Sequence, residues 1–145
     1  SPDFGNVKEA NHFARLLDLP VAAGAKRRLS DDRVVIDSIV GDVAGKDVIV
    51  LDDEIATAGT LVSSVDTLKA AGARSIHAAA THGVLCGPAI ARLRDAAIDS
   101  VVVTNTVGLP AEKRLDKLTV LNVAPLFAAA IERIHSGQSV GALFE

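Results

Sequence analysis

The chain has 145 residues, of which 49% are hydrophobic, and a formal net charge of −3. This length and apolar content predict one domain with an aliphatic core, because four Phe are the only aromatic residues besides histidine. Without base-stacking aromatics or a basic surface, we expect no binding to nucleic acid. The single cysteine excludes an internal disulfide, and no apolar run reaches transmembrane length, so we expect a cytoplasmic protein without a membrane partner.

The first third of the chain predicts a helix, two strands and a basic segment between the strands. Apolar residues recur at a helical spacing over 6–17, and 21–25 predicts a short strand. The charged stretch 26–33 follows, with Ser30-Asp31-Asp32 as a turn signal. The β-branched stretch 34–40 predicts a second strand, which either pairs with the first as a hairpin or covers the functional site.

Strands and helices then alternate to the end of the chain, a pattern typical of βαβ units and a parallel sheet. Predicted strands cover 47–51, 75–80, 100–103 and 118–123, and predicted helices cover 61–71, 87–97 and 125–135. We expect strand 47–51 to be the central one. The fold class is therefore α/β, expected as a three-layer sandwich with a mostly parallel central sheet, and a single domain over 1–145.

The segment that follows strand 47–51 is the most informative about function. Asp52 and Asp53 come where this strand should end, and the short loop Thr57-Ala58-Gly59-Thr60 leads into the next helix. Open α/β sheets bind ligands at this edge, where backbone N–H groups and the helix dipole attract phosphate. A single Asp here would more often be a helix N-cap. Two acids beside a phosphate site suit a ligand with hydroxyls at one end, which describes a phosphosugar.

Individual residues of this segment have distinct expected roles. Gly59 permits close approach of the backbone or a positive φ, and the hydroxyls of Thr57 and Thr60 can donate to phosphate oxygens. Asp52 and Asp53 can accept hydrogen bonds from sugar hydroxyls or hold Mg²⁺.

The stretch from Val48 to Thr60 resembles the ribose 5-phosphate loop of the ribose-phosphate pyrophosphokinases, also called phosphoribosyl pyrophosphate (PRPP) synthetases. Residues 1–8 are similar to the pyrophosphate-binding segment of that family, and Lys26-Arg27-Arg28 to its basic catalytic loop. Similar segments continue in the family order at 39–43, 80–90, 103–106 and 134–140. The resemblance covers nearly the whole chain, and implies a phosphoribosyltransferase-like fold and the C-terminal half of a longer, two-domain enzyme.

This resemblance implies transfer of diphosphate from ATP to the 1-hydroxyl of ribose 5-phosphate. It assigns the catalytic cations to Lys26 and Arg28, and Mg²⁺ to Asp3; on the residues alone, Asp3 would more often be a helix cap. The other implied contacts are ribose 5-phosphate on Asp52, Asp53, Thr57, Ala58, Gly59 and Thr60, and pyrophosphate on Asp3, Phe4, Gly5 and Asn6. The family forms homo-oligomers, commonly dimers that build a hexamer, and draws ATP ligands from its other half and a neighbouring subunit. We therefore expect the isolated chain to be inactive or nearly so.

Two departures from the family pattern keep alternatives open. The family commonly has Asp where this chain has Ala56, and an acid where it has Ala25. A non-catalytic, PRPP synthetase-associated regulatory subunit is therefore one alternative, although Lys26 and Arg28 argue for catalysis. A type I phosphoribosyltransferase, which would use a similar acid pair and loop but consume PRPP, is the other.

Three further features receive a structural interpretation. A lone histidine at a strand end, such as His82, is more often a hydrogen-bonded structural residue than a metal ligand. Thr104-Asn105-Thr106 is interpreted in the same way. Cys86 is expected to be a small buried hydrophobic residue.

Overall fold

A computed structural model describes residue 1 and residues 7–30 and 33–144, with the backbone alone for 25–30 and 33–38. Its elements are α1 (Val7–Leu17), β1 (Ala23–Ser30), β2 (Arg33–Val40), β3 (Asp47–Glu54), α2 (Gly59–Ala70), β4 (Ser75–His82), α3 (Ala89–Asp95), β5 (Ser100–Thr104), β6 (Leu118–Leu121) and α4 (Ala124–His135). Short 3-10 turns lie at Ala111–Lys113 and Gly141–Leu143. In these described residues, no helix is both long and apolar enough to cross a membrane.

Four of the strands form a parallel sheet in the order β3-β4-β5-β6. The predicted α/β fold with a parallel sheet is confirmed. The expectation that β3 is the central strand is wrong for the described part of the chain, where β3 stands first in the order. Within the apolar run of β3 only Val50 is buried, and Ile49 is 45% exposed, so this run does not mark a strand that is covered on both faces.

The core lies between one face of this sheet and the helices α2 and α3. Alternate residues of β4 and β5 point into it, and Ile76 and Val101 are fully buried there. They meet Val65 of α2 and Leu93 of α3, which are also fully buried. The core is aliphatic, as the composition requires, so its stability comes from close packing of branched side chains.

Charged residues tie the strands together at the edge opposite the carboxyl ends. Arg74 Nε donates to Asp47 Oδ1 at 2.7 Å, and Ser75 Oγ donates to the same oxygen at 2.6 Å. The hydrogen bonds from Arg74 and Ser75 hold the pKa of Asp47 below its usual range. The backbone N–H of Ile76 donates to Asp99 Oδ2 at 2.7 Å and lowers the pKa of that carboxyl. Both carboxylates are thus stabilised in their ionised form.

Strands β1 and β2 form a separate antiparallel hairpin, which is one of the two arrangements that the sequence left open. The sequence placed Lys26 and Arg28 in a loop after a shorter strand, and this is wrong. Both lie inside β1, where Lys26 pairs with Ile36 and Arg28 with Val34. The pairing with β2 extends β1 to Ser30, so the three cations are strand residues.

Two element boundaries change the interpretation of the acid pair and its loop. Strand β3 continues to Glu54, so Asp52 and Asp53 are among its last residues and do not follow it. Helix α2 begins at Gly59, before the predicted start at Leu61. Gly59 and Thr60 are therefore the first two residues of the helix, and the connecting loop shrinks to 55–58.

Ala58, the last residue of this loop, and Leu85, which lies beside it, are buried and have the left-handed backbone conformation that favours glycine. Ala58 has φ of 59° and Leu85 has φ of 48°. Their side chains are only 5% and 1% exposed, respectively. Tertiary packing therefore holds both in conformations that cost an isolated residue about 1–2 kcal/mol.

Gly83 packs against Val103 so closely that it leaves no room for a side chain. A Cβ built on Gly83 would lie 2.9 Å from Val103 Cγ2 and 3.1 Å from Cγ1. We expect Gly83→Ala to lower the free energy of unfolding by about 1–3 kcal/mol, measured by urea denaturation. The control Gly108→Ala, where nothing lies within 4 Å of the added Cβ, should change it by less than about 0.5 kcal/mol. Equal losses in the two variants would contradict this packing.

The left-handed conformation of Ala58 predicts an unusual response to glycine. Ala58→Gly should leave the free energy of unfolding unchanged or raise it, because relief of the strained φ offsets the greater entropy of the unfolded chain. Ala128→Gly, at an exposed position inside α4, should lower it by about 0.5–1 kcal/mol. Thermal and urea denaturation measure both. A loss at Ala58 equal to that at Ala128 would argue against the left-handed conformation.

Candidate functional site

The candidate site lies at the carboxyl ends of β3 and β4. Asp52 is half-buried, whereas Asp53 and Glu54 are exposed. The parallel register sets Asp52 opposite Ala80 and Glu54 opposite His82. The structure thus brings the acid pair to the edge at which open parallel sheets bind their ligands.

Each acid of the pair turns one oxygen toward the next backbone N–H. Asp52 Oδ1 accepts from the N–H of Asp53 at 3.0 Å, and Asp53 Oδ1 accepts from that of Glu54 at 2.8 Å. These bonds fix the carboxylates relative to the strand. An ionised carboxylate has about four acceptor positions, so Asp53 retains capacity for a hydroxyl or a cation.

Backbone hydrogen bonds hold the loop 55–58 against residues 82–86. The N–H of Ile55 donates to the carbonyl of His82, the N–H of Leu85 to that of Ile55, and the N–H of Cys86 to that of Ala56, each at 2.9 Å. Ile55 is 4% exposed, so its side chain anchors the loop in the core. The loop is therefore set in place before any ligand arrives.

Helix α2 begins directly after this loop and presents an open N-terminus. No side chain of the described residues caps it, and its own first turn contains no acid. As in every α-helix, the first N–H groups lack intrahelical acceptors, and the positive end of the dipole lies at Gly59. Thr57 is exposed and Thr60 is half-buried beside them. This arrangement can bind a phosphate group through backbone donors and two hydroxyls.

Arg92 of α3 supports the loop from the side, and sequence reasoning missed it. Its Nη1 donates to the carbonyl oxygen of Thr57 at 2.9 Å. The same nitrogen lies 3.3 Å from the position that a Cβ on Gly59 would take. In the sequence, an arginine in a short helix after Pro88 resembles any solvent-facing helical arginine, so no local signal could have found it.

Several predicted site residues cannot be placed relative to the loop. Asp3, Phe4, Gly5 and Asn6 lie outside the described residues. The backbone of Lys26 and Arg28 is described within β1, but their side chains are not. Their assigned roles stay predictions.

His82 and the segment 104–106, both interpreted as structural, are hydrogen-bonded to other parts of the protein. His82 Nδ1 and Thr106 Oγ1 are hydrogen-bonded at 2.9 Å, and Thr104 Oγ1 donates to the carbonyl of Thr81 at 2.7 Å. The expectation of a buried Cys86 is wrong, because its side chain is exposed. The turn into α3 buries the neighbouring Leu85 instead.

The donors at this edge suit Mg²⁺ in chemical kind. Among the described residues, no three His, Cys, Asp or Glu side chains converge into a metal site of their own. Mg²⁺ commonly takes one or two carboxylates and completes its shell with waters and phosphate oxygens. The carboxylates of Asp52 and Asp53, near the uncapped start of α2, are donors of the kind that this requirement names.

Comparisons with known proteins show which family the chain resembles. The phosphoribosyl synthetase-associated domain matches residues 29–145. A ribose-phosphate pyrophosphokinase of Caldanaerobacter subterraneus is 52% identical over 144 residues, covering 99% of this chain and 46% of that protein. A ribose-phosphate pyrophosphokinase of Bacillus caldolyticus is 44% identical over 145 residues, covering 100% of this chain and 46% of that protein.

A solved structure shows the same fold. The crystal structure of phosphoribosylpyrophosphate synthetase from Mycobacterium smegmatis superposes with a TM-score of 0.85 and 40% identity, covering 94% of this chain and 44% of that one. The chain thus spans less than half the length of the relatives that it matches. On the match over most of its length, the chain belongs to the phosphoribosyl synthetase-associated domain family.

Proposed function

We propose that this chain is the C-terminal, ribose 5-phosphate-binding half of a ribose-phosphate pyrophosphokinase. The complete enzyme would transfer diphosphate from ATP to the 1-hydroxyl of ribose 5-phosphate, which yields PRPP and AMP. The proposal rests on the names of relatives of about twice this length and on the order of the motifs along the chain.

One observation supports this function most strongly: the acid pair and the open helix end lie next to each other. The helix end attracts an anion, whereas Asp52 and Asp53 repel one and accept hydrogen bonds. A ligand satisfies both only if its phosphate and its hydroxyls lie at different ends. Ribose 5-phosphate has its phosphate on one end and two ring hydroxyls within reach of a neighbouring carboxylate pair.

In the proposed reaction, this chain binds and orients the sugar. The loop 57–60 holds the 5-phosphate, and Asp52 and Asp53 hold the ring hydroxyls so that the 1-hydroxyl faces the diphosphate donor. That oxygen bonds to the β-phosphorus of ATP while the bond between this phosphorus and the oxygen that bridges it to the α-phosphorus breaks, so that AMP departs with the bridging oxygen and the hydroxyl proton passes to solvent. Lys26 and Arg28 would stabilise the charge that spreads over the phosphoryl oxygens. Mg²⁺ bound by Asp3 and by the acid pair would neutralise part of the diphosphate charge.

An apolar surface on α4 supports assembly with further protein. Phe127, Ile131 and Ile134 follow a helical spacing and are 59%, 66% and 67% exposed. Phe144 beyond the last turn is 73% exposed. We propose that the other half of the protein or a neighbouring subunit covers this surface in a homo-oligomer, in line with the dimers and hexamers implied by the family.

The ligand proposal predicts a defined binding profile. The chain should bind ribose 5-phosphate in calorimetry, and Asp53→Ala should weaken binding by about ten-fold because a charge-assisted hydrogen bond is lost. Gly59→Val should weaken it further, since a Cβ at this position would lie only 3.3 Å from Arg92 Nη1 and would disturb the loop that this nitrogen holds. Asp66→Ala, an exposed acid further along α2, is the matched control and should bind unchanged. Equal binding by all variants would refute the assigned site.

The catalytic proposal concerns the complete enzyme. Lys26→Ala and Arg28→Ala should each lower kcat by about 100-fold or more, with little change in KM for ribose 5-phosphate, because these cations meet charge that develops in the transition state. A change in KM alone would contradict this role, because it would show that the two cations bind the ground state and the transition state equally well.

The variant Ala56→Asp distinguishes a catalytic enzyme from a non-catalytic regulatory subunit. Restoring the family acid should raise turnover if its absence is a handicap to a working enzyme. Absence of PRPP formation by both the unchanged protein and this variant would favour a regulatory subunit. Consumption of PRPP with a base would favour the phosphoribosyltransferase instead.

A further inference from the structure

We propose that Arg92 is a positioning residue that fixes the peptide between Thr57 and Ala58 and thereby preforms the phosphate loop. The inference rests on the proposed function, since it concerns the same loop. It assigns to α3, which contributes no predicted ligand contact, a part in the affinity for the sugar phosphate.

The carbonyl groups around this peptide are held in different ways. Those of Ile55 and Ala56 accept backbone N–H groups from residues 85 and 86, and that of Ala58 accepts the N–H of Val62 at 3.0 Å. The carbonyl of Thr57 lies between them and accepts from the Arg92 side chain. The orientation of this one peptide therefore depends on a side chain that is 35 residues away in sequence.

Holding the carbonyl of Thr57 also directs the next N–H group. In a trans peptide the C=O and the following N–H point in opposite directions. When the oxygen of Thr57 is held toward α3, the N–H of Ala58 must point away from α3. A rotation of this peptide would instead turn a carbonyl oxygen toward the phosphate, where it would repel the anion.

Two features make this peptide in particular need of support. Ala58 has a left-handed backbone, with φ of 59°, which an isolated alanine disfavours. It also immediately precedes the helix whose N-terminus has no side-chain cap. The guanidinium beside Gly59 adds a fixed positive charge at that helix end, in the same direction as the dipole.

The test combines ligand affinity with a readout of the loop itself. Calorimetry measures binding of ribose 5-phosphate to the chain, and amide hydrogen exchange measures protection of the N–H groups of residues 62, 85 and 86, which donate to carbonyls of the loop. Arg92→Gln should weaken binding by roughly three- to ten-fold and accelerate exchange at these three residues by a similar factor, the cost of one hydrogen bond from a charged donor. Exchange in β4 and β5 should stay unchanged.

Two variants give the controls. Arg92→Lys keeps a cation and a donor, so it should recover part of both effects and guards against a general folding defect. Arg94→Gln removes an equally exposed arginine of the same helix and should leave binding and exchange unchanged.

The outcomes separate this inference from the proposed function. Tight binding by the unchanged chain, with affinity and loop exchange unaltered in Arg92→Gln, would overturn the positioning role and leave the function intact. Weaker binding without faster exchange at residues 62, 85 and 86 would also overturn it, because Arg92 would then contact the ligand directly. Absence of saturable ribose 5-phosphate binding by the unchanged chain would overturn the proposed function, and this inference with it.

Discussion

The site depends on the hydrogen bonds that join the end of β3 to the segment after β4. Ile55 and Ala56 exchange backbone bonds with residues 82–86, so the chain leaves the sheet in a fixed direction. This direction forces Ala58 into its left-handed conformation and starts α2 at Gly59. Main-chain hydrogen bonds therefore set the path from the acid pair to the open helix end, and the side chain of Ile55 anchors this path in the core.

Charge is separated along the sheet in a way that serves both stability and binding. At the edge opposite the carboxyl ends, Asp47 and Asp99 have firm hydrogen-bond donors, which lower the pKa of each. At the edge formed by the carboxyl ends, Asp52 and Asp53 accept from neighbouring backbone N–H groups of β3. The acids of one edge thus join adjacent segments of the sheet, whereas the hydrogen bonds of the other pair stay within a single strand.

The sequence predicted that the acid pair lies at the carboxyl edge of the sheet because the signals for this placement are local. An apolar run that ends in Asp52 and Asp53 marks the strand end, and alternating helices and strands imply a parallel sheet. The start of α2 was placed too late, since Gly59 and Thr60 have the composition of a loop and only tertiary packing makes them helical. The hydrogen bond from Arg92 spans 35 residues, and no local pattern encodes such a contact.

The most direct test of the central claim is a crystal structure of this chain with ribose 5-phosphate bound. The account predicts phosphate oxygens about 2.7–3.2 Å from backbone nitrogens of the 57–60 loop. It also predicts that ring hydroxyls contact Asp52 or Asp53. A sugar phosphate that occupies another surface, or that binds this edge with its phosphate turned away from the start of α2, would contradict it.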